Sequence, residues 1–112
     1  MILPQVSVLK TKNYNYTDGK FDIRGTDFKG QTISHEYFSD SILESVNFSL
    51  CEIKDVTFKD VNLKKANFRS CYIINCSFDN CDLTNADFIG ARIEKTTFKN
   101  CEIDSADGLI IA

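Results

Sequence analysis

Six side chains in this sequence are thiols or imidazoles, the types that titrate closest to neutral pH: Cys51, Cys71, Cys76, Cys81, Cys101 and the single histidine, His35. Zinc sites draw their thiolates from short paired spacings that let four ligands converge. Here the cysteines fall 5 or 20 residues apart, which matches no such ligand set. A general base needs a partner or a substrate within hydrogen-bond reach. Ser34 and Glu36 flank His35, but residues adjacent in sequence do not make a triad. There is no glycine-rich phosphate loop, and no pair of carboxylates stands out from the scatter of surface charge. The inventory points to no enzyme, no metal and no cofactor.

The positions of the cysteines lead to the elements that hold them. Each lies two residues before an apolar residue, and that apolar residue recurs at every fifth position. Phe28, Phe48, Phe68 and Phe88 form one series, and Phe38, Phe58, Phe78 and Phe98 a second. Ile33, Ile53, Ile73 and Ile93 form a third, and Ile23, Leu43, Leu63, Leu83 and Ile103 a fourth. Together they are 17 consecutive hits with no insertion. A helix face repeats at 3.6 residues and a strand face at 2. A period of 5 fits neither. It fits a solenoid whose coil is cut into short equal segments, each with one side chain inward. The position two before each centre is small or β-branched, as in Val46, Cys51, Val56, Ala66, Cys71 and Ala86. It reads as a second inward position with little room. The other three positions are mostly polar and should face water.

Residues 20 apart are alike and residues 10 apart match in class, so each coil has four segments. Two opposite walls carry phenylalanine ladders and two carry aliphatic ladders. Coils stacked at the usual strand spacing of about 4.8 Å make a rod on the order of 20 Å long. The expected fold is all-β, a four-sided parallel β-helix of about four coils. The stacked pairs Cys51/Cys71 and Cys81/Cys101 come within the Cα range of a disulfide. Stacked side chains run parallel, however, which keeps their Cβ atoms near the coil spacing. The thiols are therefore expected to be reduced, small apolar filler.

Segments such as Ala66-Asn67-Phe68-Arg69-Ser70, Cys81-Asp82-Leu83-Thr84-Asn85 and Ala86-Asp87-Phe88-Ile89-Gly90 carry the A-(D/N)-(L/F)-x-x motif. In this the chain resembles the pentapeptide-repeat proteins over residues 21–107. The resemblance implies a right-handed quadrilateral β-helix and a bacterial-like protein. The match is poorest at the start, where Phe21, Gln31 and Glu36 occupy the small position, and this predicts distorted first coils. Residues 1–20 lie outside the repeat, with a short strand expected over Val6–Leu9, and read as an N-terminal cap. Gly108 falls where the next centre belongs and ends the period. Residues 108–112 form an apolar tail.

The 112 residues carry 13 basic and 16 acidic side chains, a net charge of −3, too mild for direct nucleic-acid binding. No apolar run approaches membrane-spanning length, and the N-terminus lacks the pattern of a signal peptide. A cytoplasmic location is the expectation, so the three Asn-x-Ser/Thr sequons are read as chance.

Function is less legible. A rigid rod with regular walls suits a non-catalytic protein-interaction module with an unspecified protein partner. Tyr72 and Ile74 flank Ile73 and should point outward from one wall, with Leu50 at the corner leading into it one coil earlier. These three are either isolated exposed apolar residues, which are common, or a modest partner patch. The family resemblance supplies an alternative: its quinolone-resistance branch mimics duplex DNA, dimerises and binds DNA gyrase. The interspersed lysines and the unbroken register argue against that role. Leu109, Ile110 and Ile111 can fold back as a lid or pack against their copies across a two-fold axis, giving a homodimer joined at the C-terminal ends.

Overall fold

The computed structural model describes residues 15–17 and 20–110. The strand expected over residues 6–9, most of the expected cap and Ile111 lie outside the described residues. Among the described residues ten three-residue strands make up the regular structure. They are β1 (Asn15–Thr17), β2 (Lys20–Asp22), β3 (Thr32–Ser34), β4 (Tyr37–Ser39), β5 (Glu52–Lys54), β6 (Thr57–Lys59), β7 (Tyr72–Ile74), β8 (Ser77–Asp79), β9 (Arg92–Glu94) and β10 (Thr97–Lys99).

Strands 20 residues apart pair in parallel. One wall is the sheet β3-β5-β7-β9, and the next is β4-β6-β8-β10. The register is one-to-one, for example Ile53 on Ile73 and Phe58 on Phe78. The other two walls are chains of single bridges. One runs Asp22, Ile42, Asn62, Asp82, Glu102, and the other Asp27, Asn47, Asn67, Asp87, Asp107. The result is a four-sided parallel β-solenoid. From Ile33 to Ile93 the chain makes three turns, so each sheet has four rungs.

Two local devices make each segment. In a three-residue strand the centre points inward and its neighbours outward. The residue two after the centre then turns the corner with positive φ, as at Asn75 (55°), Asn80 (54°), Asn85 (58°) and Asn100 (54°). Glycine, asparagine and aspartate tolerate that conformation best, and they dominate these corners. On the two bridged walls the residue before the centre is mostly Asp or Asn, and its side chain accepts the amide two residues on. Examples are Lys64 N to Asn62 Oδ1 (3.0 Å), Arg69 N to Asn67 Oδ1 (2.9 Å) and Ile89 N to Asp87 Oδ1 (2.9 Å). This Asx turn replaces the strand, and it gives the D/N of the repeat motif its physical meaning.

The core is the axial stack of centres. Phe68 lies between Phe48 (centroids 5.1 Å apart, 16°) and Phe88 (4.7 Å, 4°), with Phe78 edge-on across the coil at 6.1 Å and 81°. All four rings are fully buried. Among the described residues no buried side-chain nitrogen or oxygen lacks a hydrogen-bond partner.

The first coils depart from expectation. They keep the register, since Ile33 pairs with Ile53 and Phe38 with Phe58 despite Gln31 and Glu36. Phe21 adds a tilted ring against Phe38 (5.3 Å, 59°), and its amide donates to the buried Ser41 hydroxyl. β1 pairs antiparallel with β2. The chain also leaves the repeat in a particular way. Asp107 still bridges to Asp87, and Gly108 (φ 68°) lies flat on Ile89. A Cβ there would come within 2.9 Å of the Ile89 backbone, so only glycine fits.

Candidate interaction surface

The thiols come first, because the sequence made them the chemical candidates. All five cysteines are free. Each thiol donates to the carbonyl of the centre 23 residues earlier: Cys51 to Phe28 (3.0 Å), Cys71 to Phe48 (2.7 Å), Cys76 to Ile53 (3.4 Å), Cys81 to Phe58 (3.3 Å) and Cys101 to Phe78 (3.3 Å). Sequence reasoning missed these bonds, which make the filler thiol a coil-to-coil tie. Burial pushes the Cys51 thiol up to about 11 and those of Cys71 and Cys81 up to about 12. The nucleophilic thiolate is thereby suppressed at neutral pH. His35 lies exposed at a corner, with its Nδ1 3.5 Å from Asp55 Oδ2 in the next coil. Among the described residues no group of three His, Cys, Asp or Glu side chains is placed to hold a metal. No helix of the described residues is long and apolar enough to cross a membrane.

The wall β3-β5-β7-β9 is organised differently. Its outward side chains form two columns, Thr32-Glu52-Tyr72-Arg92 and Ser34-Lys54-Ile74-Glu94, brought together by the 20-residue register. Tyr72 is held from two sides. Its hydroxyl donates to Glu94 Oε2 at 2.7 Å, and the Arg92 guanidinium lies over its ring, 5.2 Å from the centroid. Arg92 Nη2 also reaches Glu94 Oε1 at 3.2 Å. The bond to Glu94 raises the Tyr72 pKa above its ordinary value, and the same bond holds the Glu94 carboxyl below its own. Tyr72 and Ile74 are half-buried among these neighbours.

Leu50, at the corner before β5, is 56% exposed and has φ 60°. Leucine gains nothing there from burial and suits the backbone poorly. Sequence reasoning picked out Leu50, Tyr72 and Ile74, and the fold places them on one wall and its corner. It overlooked Arg92 and Glu94, although both are one period beyond residues it had chosen. Tyr37 (52% exposed) and Ile89 (40%) sit apart on other walls.

At the C-terminal end Leu109 packs partly against the core, while Ile110 is 82% exposed. Ile93, Phe98, Cys101 and Ile103 of the last coil are only half-buried.

Fold and surface together define a repeat protein of the β-solenoid class. The sequence model "Pentapeptide repeat region" matches residues 32–107, and the chain belongs to that family. Its proteins are generally structural or interaction modules. No curated protein matches the chain. Among solved structures it is similar to a trypsin-treated form of QnrB1, a plasmid-mediated fluoroquinolone resistance protein, with 26% identity and a TM-score of 0.68. That likeness covers 83% of this chain and 50% of QnrB1, so the chain spans about half the length of that relative. The pentapeptide repeat protein Rfr23 from the cyanobacterium Cyanothece 51142 shares the fold at 12% identity and a TM-score of 0.56, over 91% of this chain and 95% of Rfr23.

Proposed function

We propose that this protein is a non-catalytic interaction module whose contact surface is the wall β3-β5-β7-β9. The observation that carries the reading is the fixed Tyr72, held by Arg92 and Glu94 beside Ile74 and near the strained Leu50. Tyrosine and arginine are the commonest anchors of protein interfaces. An anchor already locked in place loses little entropy on binding.

A pull-down from cell extract tests this. Tyr72→Ala and Leu50→Asn should each lose captured proteins by about tenfold, the effect of about 1.4 kcal/mol. Thr57→Ala on the neighbouring wall should lose none. Leu50→Asn should at the same time stabilise the fold by about 1 kcal/mol, because asparagine suits the left-handed corner. Captured proteins unchanged by both wall variants would remove the wall from the account.

The likeness to QnrB1 motivates a second reading, a DNA mimic that binds DNA gyrase or topoisomerase. The surface charges weaken it, since several acidic residues lie beside a base: Arg69 is 2.8 Å from Asp87 and Lys64 3.7 Å from Asp82. Purified gyrase added to the same pull-down decides it. Retention of gyrase would support this reading, and its loss in the wash would exclude it.

The C-terminal end supports a homodimer joined end to end. The centres from Ile33 to Phe88 are fully buried, whereas Ile93, Phe98 and Ile103 are half-exposed. A second copy across a two-fold axis would cover them. A cytoplasmic setting suits a chain whose five cysteines are all free thiols; fluorescence microscopy of the tagged chain tests it, and export would contradict it.

A further inference from the structure

The geometry points to a second copy of this chain as a partner for the Tyr72 wall, docked face to face and antiparallel. The inference rests on reading that wall as a contact surface, and it names an occupant. The wall is complementary in charge to its own copy. Over β5, β7 and β9 the two outward columns read acid, tyrosine, base and base, isoleucine, acid going up the rod. A two-fold axis lying in the wall, parallel to the strands and passing over Ile73, turns the pattern onto itself. Glu52 then faces the second copy's Arg92, and Lys54 faces its Glu94. Each contact occurs twice by symmetry. Tyr72 meets Tyr72 and Ile74 meets Ile74 on the axis, so the apolar row is shielded by charged pairs on both sides.

The corners agree with the same axis. Leu50 projects toward the second copy's Gly90, the corner with no side chain. Asp55 faces Lys95. Within one chain Glu52, Lys54 and Lys95 belong to none of the ion pairs among the described residues. The docking gives all three a partner of opposite sign. A two-fold axis along the rod would also match Glu52 with Lys54. It would, however, set Leu50 against Asp55 and Tyr72 against Ile74, which leaves the exposed leucine on a charge. The antiparallel arrangement is therefore the better one.

The contact is small. Three residues across and three rungs high, from β5 to β9, give a face of about 10 by 15 Å, well under the roughly 800 Å² per partner of a standard interface. The pairing is accordingly weak, lost on dilution and screened by salt.

Photo-oxidative dityrosine cross-linking of the concentrated protein, with the linked peptides read by mass spectrometry, tests the proposal. Wild type should give a Tyr72–Tyr72 peptide. The double swap Glu52→Lys, Lys54→Glu keeps the net charge and leaves Arg92, Tyr72 and Glu94 untouched. It turns both charged contacts within the wall into like against like, leaving the corner pair Asp55–Lys95 unchanged, and should cut that peptide by about tenfold or more. Adding Arg92→Glu and Glu94→Arg restores opposite signs and should restore the peptide. A cross-link absent from wild type, surviving the double swap, or not recovered in the fourfold variant would overturn the pairing. Because the readout is confined to Tyr72 of two copies, such a failure leaves the module reading standing if the wall variants still lose captured proteins.

Discussion

Phe68→Ala is expected to destabilise the fold by about 3–5 kcal/mol, the range for truncating a fully buried aromatic. The ring is fully buried and contacts three others, stacked on Phe48 and Phe88 and edge-on to Phe78. A solenoid cannot refill that space easily. Its walls are held at fixed spacing by backbone bonds such as Phe48 N to Asn67 O (2.7 Å) and Phe68 N to Asp87 O (2.7 Å). The cavity therefore stays open, and neighbouring coils lose contact above and below. Urea denaturation of the variant measures the loss. A value under about 1 kcal/mol would mean that the site collapses freely, which a rigid ladder does not allow.

Removing the residues after Asp107 is expected to convert a dimer into a monomer at low micromolar concentration, where the weak wall contact has dissociated. The change in mass is twofold, and static light scattering reads it directly. Leu109 lies on the half-exposed last coil and Ile110 projects from it, so the truncation removes apolar surface from the joint itself. The open upper edges of β9 and β10 would add backbone pairing. A full chain that is monomeric, or a dimer that survives truncation, contradicts the end-to-end joint. Leu109 would then serve only as a lid.

Much of this molecule is legible in the sequence because its order is one-dimensional. The five-residue period fixes which side chain enters the core. The 20-residue likeness fixes which one stacks on it, as Phe48, Phe68 and Phe88 do. Two further signals are present in the sequence. The Asp or Asn before the centre marks the bridged walls, where Asn62, Asn67 and Asp87 cap their own turns. Thr, Tyr and Arg at that position mark the strand walls. The corner preference for Gly, Asn and Asp likewise encodes positive φ. With it, Leu50 stands out as a misfit as well as an exposed residue.

The contact surface is less legible, for a physical reason. Packing constrains the inward positions, so periodicity reports them. Outward residues are free to vary, and their meaning depends on neighbours 20 residues away. Arg92 and Glu94 gain significance only when the register sets them beside Tyr72. Gly108 is similar. The sequence shows a broken period, whereas the fold shows a glycine needed for its close approach to Ile89.

The claim that the Tyr72 wall pairs with a second copy of itself is tested most directly by backbone amide NMR across a dilution series, from millimolar to low micromolar. Concentration-dependent shifts are expected to cluster at Glu52–Lys54, Tyr72–Ile74 and Arg92–Glu94, with the strands Thr57–Lys59 and Ser77–Asp79 unmoved. Shifts confined to those latter strands, or a wall whose amides stay fixed at every concentration, would contradict it.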